Sequence, residues 1–233
     1  MSSTIKSLTL LAVVLVAVSQ TSAQELLWDG TGSPETVGYV AGTNSTTTFE
    51  FDTPSPGFMT QGLNTSGWDS FTASGIFTLS RAEGWSLAVG IDVAQTSQGT
   101  WGAYTSIGDD VGGMYLFMYP DSFGGLSGGS PQSSVDVGSG YHTYLINMPA
   151  GGTDVEIFVD GSPSAAAMWT ADGATNPGAS AVTFGDGATN AGAAAAVWDF
   201  VNLGPAGGIP EPSSLTLLVI GLLGLTGYRR RNR

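Results

Sequence analysis

The apolar residues of this chain fall into short runs that alternate with polar residues and never keep a helical period. In the clearest run, residues 85–93, the odd-numbered residues are large and apolar and the even-numbered ones are small or polar. A period of two places the two sets of side chains on opposite faces of a β-strand. Clusters of Gly, Pro, Asn, Asp and Ser separate the runs, and the chain holds 35 glycines. The pattern therefore predicts an all-β fold, a two-sheet sandwich or jelly roll.

The same signals predict strands along the rest of the chain. Residues 142–148 and 154–159 form a predicted hairpin, and the Asp160-Gly161 pair that follows is a turn signal. The pairs Gly124-Gly125 and Gly128-Gly129 do not open a helix after a strand, so we predict a loop there and not a phosphate-binding turn. The other predicted strands, the last two of them weaker, are 71–80, 113–119, 182–185, 194–203, 37–40 and 47–51.

The first 23 residues have the three parts of a secretory signal peptide. Lys6 supplies the positive charge, residues 8–18 are an apolar stretch, and Thr21-Ser22-Ala23 offers small residues for cleavage before Gln24. The apolar stretch is too short for a membrane-spanning helix, which needs about 20 residues. We therefore expect the secretion machinery to export the chain and to remove residues 1–23.

The segment from residue 210 to residue 233 combines a proline-bracketed motif, an apolar run and a basic end. Pro210, Glu211 and Pro212 form an extended motif, because proline cannot continue a helix. Residues 213–228 carry no charge. As a helix they would span about 24 Å at ~1.5 Å per residue, close to a membrane's hydrocarbon core. The arginines that predict a cytoplasmic end are Arg229, Arg230, Arg231 and Arg233.

This order of parts resembles the PEP-CTERM sorting signal of bacterial envelope proteins, which exosortase recognises and cleaves. The resemblance implies that Pro210-Glu211-Pro212 is the processing motif. It also implies that residues 215–228 form a transmembrane helix that holds the motif at the membrane before processing. It also implies delivery to the cell surface or the extracellular space. The alternative is a permanent membrane anchor that is never cut. In both cases residues 24–209 are predicted to form one exported β-sandwich domain.

The charge of the predicted domain excludes nucleic acid as a partner. The whole chain has a formal net charge of −13, and Arg81 is the only Lys or Arg between residues 24 and 209. A nucleic-acid partner is excluded, since phosphate binding needs clustered basic residues. The chain has no cysteine, so an exported domain without disulfides has to be stable through its core.

Four short motifs follow one another in the second half of the predicted domain. They are Tyr141-His142-Thr143-Tyr144, Val155-Glu156-Ile157-Phe158-Val159-Asp160-Gly161, Phe184-Gly185-Asp186-Gly187 and Trp198-Asp199-Phe200-Val201. The series is similar to the concanavalin A-like (LamG-type) jelly rolls of exported bacterial proteins. The resemblance implies a two-sheet sandwich and, as in some relatives, the binding of carbohydrate or calcium.

The predicted domain offers no pattern typical of a catalytic site. Glycosidases of this fold class use two close carboxylates, because one acid protonates the leaving oxygen while the other attacks or activates water. Glu156 has Val155 and Ile157 beside it and is expected to face solvent on a strand. His142, the only histidine, shows no nucleophile partner and is expected on a strand near a sheet edge. The glutamates, all isolated in sequence, are Glu25, Glu35, Glu50, Glu83 and Glu156.

Two further groups have a structural and a functional interpretation. Asp109-Asp110 suits calcium binding together with other loop oxygens, or a solvated turn, which the irregular spacing favours. Asp186 and Asp199 are expected to fix loops through side-chain to backbone hydrogen bonds. Large aromatic residues are expected in the core, with a sugar-stacking surface as the alternative. The tryptophans concerned are Trp68, Trp85, Trp101, Trp169 and Trp198.

These observations predict a non-enzymatic exported protein of the cell surface or extracellular matrix, with extracellular polysaccharide as the candidate ligand. Its expected partners are exosortase, the secretion machinery and, before processing, the membrane. We expect no resident cofactor or metal, with calcium as the weaker option. The alternatives are a secreted polysaccharide-acting enzyme of the concanavalin-like fold and a permanently anchored envelope protein.

Overall fold

The computed structural model describes residues 25–43, 49–55, 57–62, 69–96, 102–127, 130–171, 180–186 and 194–206. The predicted signal peptide, the Pro210-Glu211-Pro212 motif, the apolar run and the terminal arginines lie outside these residues. Within the described residues, no helix is long and apolar enough to cross a membrane.

The described residues form fifteen β-strands and one short 3₁₀ helix at Pro34–Val37. The strands, in chain order, are β1 (Leu26–Trp28), β2 (Val40–Thr43), β3 (Phe49–Phe51), β4 (Met59–Gln61), β5 (Asp69–Ser74), β6 (Trp85–Thr96), β7 (Ala103–Gly108), β8 (Gly113–Met118), β9 (Ser122–Ser127), β10 (Ser130–Asp136), β11 (Tyr141–Met148), β12 (Asp154–Val159), β13 (Ala167–Thr170), β14 (Ala181–Asp186) and β15 (Ala194–Pro205).

The strands form two antiparallel sheets. The eight-stranded sheet has the order β13-β12-β11-β6-β15-β4-β3, and β1 also pairs with β15. The seven-stranded sheet has the order β10-β9-β8-β7-β14-β5-β2. This arrangement confirms the prediction of an all-β sandwich, and the predicted hairpin is present as the antiparallel pair β11–β12.

Strand β6 shows how the sequence pattern produces the sandwich. Its odd-numbered residues from Trp85 to Val93 are buried in the core, as the alternation predicts. Strand β6 pairs with β11 on one side and β15 on the other, so it lies inside the eight-stranded sheet. A strand in that position can bury a whole face only if every second side chain is apolar.

Aromatic side chains join the two sheets through the core. The ring of Trp198 on β15 lies 5.1 Å from that of Phe184 on β14, and Phe123 on β9 lies 5.6 Å from Tyr144 on β11. At ~25 cal/mol per Å², burying a tryptophan stabilises the fold by about 4–6 kcal/mol of transfer free energy. A core of this kind accounts for stability without disulfides.

Three local predictions were wrong. The strand predicted at 71–80 ends at Ser74, because Gly75 has a φ of +73°, which breaks the strand. The turn-rich segment after it still buries Phe77 and Leu79. The alternation of apolar residues therefore continues past Ser74, although the backbone there pairs with none of the described strands. Part of the weak strand at 37–40 is the 3₁₀ helix, which Ser33 caps by accepting from the Glu35 amide. Gly124 and Gly125 lie within β9, not in a loop.

Candidate functional site

The outer face of the seven-stranded sheet carries two aligned rows of side chains. The first row, in order across the sheet, is Thr72, Thr183, Ser106, Tyr115 and Leu126. The second row is Ser70, Gly185, Tyr104, Phe117 and Gly124. Because side chains alternate along a strand, these residues point away from the core that their sequence neighbours fill. We call the two rows together the aromatic face.

Three aromatic rings form the centre of the aromatic face. The ring of Tyr115 lies 6.0 Å from Tyr104, tilted by 30°, and 6.0 Å from Phe117, nearly parallel at 17°. Tyr104 and Phe117 are buried, whereas Tyr115 is half-buried. In the second row the rings lie between Gly185 and Gly124, which have no side chains. The result is an aromatic ridge of three rings, a type of surface on which flat apolar faces of ligands stack.

Hydroxyl groups surround the aromatic ridge. Thr72 and Thr183 lie opposite each other with their Oγ1 atoms 3.0 Å apart. Burial raises the pKa of the Tyr104 phenol to about 12, and a hydrogen bond with Ser70 lowers it in part. The phenol is therefore neutral at ordinary pH and serves as both donor and acceptor. Such groups recognise uncharged ligands that carry hydroxyls of their own.

One hydroxyl of the aromatic face lacks a partner. Ser106 is 1% exposed, and among the described residues its Oγ has no hydrogen-bond partner. A buried hydroxyl without a partner costs about 1–3 kcal/mol, so such groups usually bind a water molecule or a ligand. Ser106 lies directly across from Tyr115 in the strand register. A polar group of a ligand stacked on Tyr115 would be close to it.

The single basic residue of the domain is not available to ligands. Arg81 is buried, and its Nε and Nη2 donate to Asp109 at 2.6 and 3.0 Å. The same Nη2 donates to the Ala171 carbonyl at 2.8 Å. Because Arg81 holds these bonds inside the protein, the domain presents no exposed Lys or Arg side chain to an anionic sugar.

Asp109 is not part of a solvated turn, so that part of the Asp109-Asp110 prediction was wrong. Besides Arg81, its carboxylate accepts from Trp85 Nε1 and from the amides of Val111 and Gly112, all at 2.9 Å. Burial raises the pKa of Asp109, but these donors outweigh burial and hold it below its usual value. Within the described residues, no cluster of three His, Cys, Asp or Glu suits a metal ion.

His142 lies at the start of β11, which is inside the eight-stranded sheet, so the prediction of a sheet-edge position was wrong. Its Nδ1 lies 2.8 Å from Asp160 Oδ2, and its Nε2 lies 3.1 Å from the Gly138 carbonyl. The other oxygen of Asp160 accepts from the Thr143 amide at 2.8 Å. With both ring nitrogens so placed, the histidine fixes the turn after β12 and resembles no general base with a nucleophile.

The remaining acidic candidates also hold structural contacts. Glu156 is half-buried on the outer face of β12 and accepts from Asn147 Nδ2 at 3.0 Å, so the prediction of an outward strand position is confirmed. Asp199 accepts from the Tyr141 hydroxyl at 2.6 Å, a side-chain contact where a backbone contact was expected. Asp186 is buried at the end of β14 and not in a loop.

The core interpretation of the tryptophans is confirmed wherever the structure describes them. Trp85, Trp169 and Trp198 are all buried in the core between the sheets. Trp68 and Trp101 lie outside the described residues. The aromatic face is thus made of tyrosine and phenylalanine, which the sequence analysis did not single out. A signal was present, because Tyr104 and Ser106, then Tyr115 and Phe117, alternate with core residues on two consecutive strands.

Comparison with known proteins identifies the C-terminal segment. Residues 208–231 match the model of the PEP-CTERM protein-sorting motif. The chain therefore carries a PEP-CTERM sorting motif, which confirms that resemblance and indicates an exported protein processed at the cell envelope. The roles of Pro210, Glu211 and Pro212 stay predictions. No curated protein matches the chain.

Solved structures identify the fold of the body as a jelly-roll-like, concanavalin-like sandwich. A carbohydrate esterase from the Shiga toxin-encoding bacteriophage phi24B is similar over 80% of this chain and 99% of its own, with a TM-score of 0.56 and 12% identity. An endo-1,3-beta-glucanase from Streptomyces sioyaensis is similar over 77% and 95%, with a TM-score of 0.53 and 14% identity. A protein of unknown function from Shewanella oneidensis MR-1 is similar over 80% of this chain and 88% of its own, with a TM-score of 0.52 and 12% identity. At these identities the similarity shows the fold alone.

Proposed function

We propose that the exported body binds a neutral polysaccharide on the aromatic face and catalyses no reaction. Exosortase cleaves the chain at its PEP-CTERM motif, and the body then acts at the cell surface or in the extracellular matrix. The observation that carries the binding proposal is the placement of the half-buried Tyr115 ring opposite the buried, unpartnered Ser106 hydroxyl. Together they place an aromatic ring beside a buried hydroxyl that no described residue satisfies, and a ligand group that reached this hydroxyl would supply its missing hydrogen bond.

Charge supports a neutral ligand. The body carries one basic residue, and the hydrogen bonds of Arg81 to Asp109 and Ala171 keep it from an anionic sugar. Polysaccharides with sulfate, phosphate or carboxylate groups would meet an acidic protein and be repelled. The hydroxyls of Thr72, Thr183 and Tyr104 instead suit sugar hydroxyls.

The contacts of the acidic side chains support a binding role without catalysis. Asp109, Asp160, Asp199 and Glu156 each hold a structural donor, as described above. No described carboxylate lies in either row of the aromatic face, and the one beside it, the buried Asp186, adds to the effect of burial in raising the pKa of the Tyr104 phenol. A glycosidase would need a pair of carboxylates on the two sides of the bound sugar.

The experiment compares binding of the mature protein and its Tyr115→Ala variant to an array of neutral polysaccharides. We expect wild-type binding to at least one of them and a loss of about 10-fold in the variant. Truncating a central aromatic contact costs on the order of 1–2 kcal/mol, and 1.4 kcal/mol is tenfold in affinity. The matched control is Phe158→Ala, a half-buried aromatic on the outer face of the other sheet, which should bind as wild type.

Three results would contradict the proposal. Binding to no neutral polysaccharide would remove the binding role, and equal binding by the Tyr115 and Phe158 variants would remove the aromatic face as its site. Hydrolysis of a β-glucan panel by the purified protein, abolished by one carboxylate substitution, would contradict the non-enzymatic role.

A further inference from the structure

Both ends of the described body emerge at the same pole of the sandwich. Strand β1 starts beside the end of β15, with Leu26 opposite Leu203. Several loops meet there: the Arg81 carbonyl accepts from Gly151, and the Arg81 amide donates to Asp110. We call this end, formed by residues 75–84, 109–112 and 149–152 together with Glu25 and Ala206, the tether pole.

The chain leaves the tether pole from a fixed position. Pro205 is the last paired residue of β15 and lies opposite Trp85, and its carbonyl accepts from Ser86 Oγ at 2.8 Å. Ala206 packs closely on the turn before β6: a Cβ added to Gly84 would lie only 2.6 Å from the Cβ of Ala206. The point where the tail begins is therefore fixed at the pole by the pairing of β15 with β6, in the interior of the sheet.

The sorting motif lies within a short reach of this fixed exit. Four steps along the chain separate Ala206 from Pro210, which is at most about 14 Å of extended backbone. A single α-helix with its side chains is already about 10–12 Å wide. A membrane enzyme that encloses Glu211 is therefore held within about 18 Å of the tether pole, little more than the width of one helix.

The surface of the tether pole has a definite chemistry. Val111, at the tip of the β7–β8 turn, is 54% exposed, and Ile76, after β5, is 39% exposed. Ile76 belongs to the pole because it lies near Leu26 at the start of β1. The Cδ1 atoms of both residues are within 4 Å of the position that a Cβ on Gly38 would take. The exposed charged residues around them, Glu25, Glu83 and Asp110, are all acidic. A complementary protein surface is an apolar spot bordered by basic side chains.

We propose that the tether pole is a docking surface for exosortase, so that the enzyme binds the folded body as well as the sorting motif. Val111 and Ile76 make apolar contacts with the enzyme, and the exposed carboxylates lie against its basic groups. This inference rests on the sorting role and is independent of the polysaccharide ligand. Its consequence is that the cleavage rate depends on residues that lie far before the motif in sequence, at positions 76 and 111.

The test measures the cleavage rate of the full chain in membranes that contain exosortase, with four chains. These are wild type, the double variant Val111→Ser with Ile76→Ser, and each of the two with about twelve Gly and Ser residues inserted between Ala206 and Gly207 as a flexible linker. The control is Phe51→Ser with Tyr141→Ser, which removes two exposed apolar side chains at the opposite end of the eight-stranded sheet, in register with Ile91 and Asp92 of β6. Thermal unfolding of every chain verifies that the body is folded.

With the native linker, we expect the pole variant to be cleaved about 5-fold more slowly than wild type, since truncated contacts at an interface lower affinity by such factors. The control should be cleaved at the wild-type rate, and the long linker should abolish the difference. Equal cleavage of pole variant and wild type, or a defect that persists with the long linker, would overturn the docking surface. A wild-type chain that is never cleaved would contradict the sorting proposal itself.

Discussion

The ion pair of Arg81 and Asp109 is buried, so both charges lose their hydration on folding. The carboxylate of Asp109 holds together Arg81, Trp85 and the tip of the β7–β8 turn. Removing one partner of a buried pair is strongly destabilising, because the other charge stays buried without compensation. The pair could not be predicted from the sequence, since 28 positions separate the two residues and Asp109 looks like any acidic turn residue.

The Asp109→Asn substitution tests this role. An amide cannot balance the guanidinium of Arg81, so we expect a loss of about 3–5 kcal/mol in the free energy of unfolding. Urea unfolding gives the value. The control is Asp110→Asn at the exposed neighbouring position, where we expect at most about 1 kcal/mol, as for surface contacts. Equal losses in the two variants would show that the buried pair has no special weight.

The same pair predicts how stability depends on pH. Despite burial, the donors lower the folded-state pKa of Asp109. Its contribution is therefore present above the unfolded value of about 3.9 and is lost as the pH falls through the folded value. Asp160 changes stability in the same direction, because the Thr143 amide and His142 outweigh burial and lower its pKa. We expect the urea midpoint of wild type to fall below about pH 4, and that of Asp109→Asn to fall less. Parallel curves for the two proteins would contradict this account.

At the scale of single elements, β9 shows what alternation decides. Gly125 faces the core, where a Cβ would lie 2.5 Å from both the Trp169 ring and the Tyr115 carbonyl oxygen. Gly124 faces outward, with its nearest neighbour 3.8 Å from a Cβ. The sequence predicted a loop for both, because glycine weakens every strand signal. Only the packing of β13 over β9 explains why a strand here requires glycine.

The two glycines form a matched pair for mutation. We expect Gly125→Ala to destabilise the protein by about 1–3 kcal/mol, because its methyl group meets backbone and a packed indole. Gly124→Ala should be neutral or slightly stabilising, since its φ is ordinary and an added Cβ would meet its neighbours at ordinary van der Waals distance. The measurement is the thermal midpoint of each variant. A larger loss for Gly124→Ala would mean that β9 has the opposite orientation.

Strands with one face in the core could be predicted, and strands buried on both faces could not. The alternation in β6, β11 and β12 fixed both the strands and the inward side chains in advance. All six residues of β7 are buried, so its polar and apolar residues carry no simple pattern. The aromatic face depends on β7, and its rows depend on the strand order, which places β14 between β5 and β7. Register across three strands is a tertiary property that local sequence does not contain.

At the scale of the whole molecule, sorting could be predicted and the ligand site could not. A sorting tail works through local composition, namely proline, an uncharged run and arginines. It can therefore be recognised from the sequence without knowledge of the tertiary structure. The match at residues 208–231 agrees with that prediction. The binding role that we propose for the body depends instead on side chains from at least four strands. We therefore expect substitutions in the tail to change location and substitutions on the aromatic face to change binding, each without the other.

The Glu211→Ala variant tests the first half of that separation. We expect it to fold and bind as wild type but to keep its C-terminal tail, because exosortase no longer recognises the motif. Removal of Arg229, Arg230, Arg231 and Arg233 should have the same effect through lost membrane orientation. Immunoblots against the two ends of the chain give the result. Normal processing of both variants would contradict the roles proposed for these residues.

The most direct test of the account is the intact mass of the mature protein from its native host, measured separately in membrane and extracellular fractions. The account predicts a form that begins near Gln24 and ends near Pro210, without the arginines and outside the membrane fraction. A form that ends at Arg233 and occurs only in membranes would contradict it and make the protein a permanently anchored envelope protein.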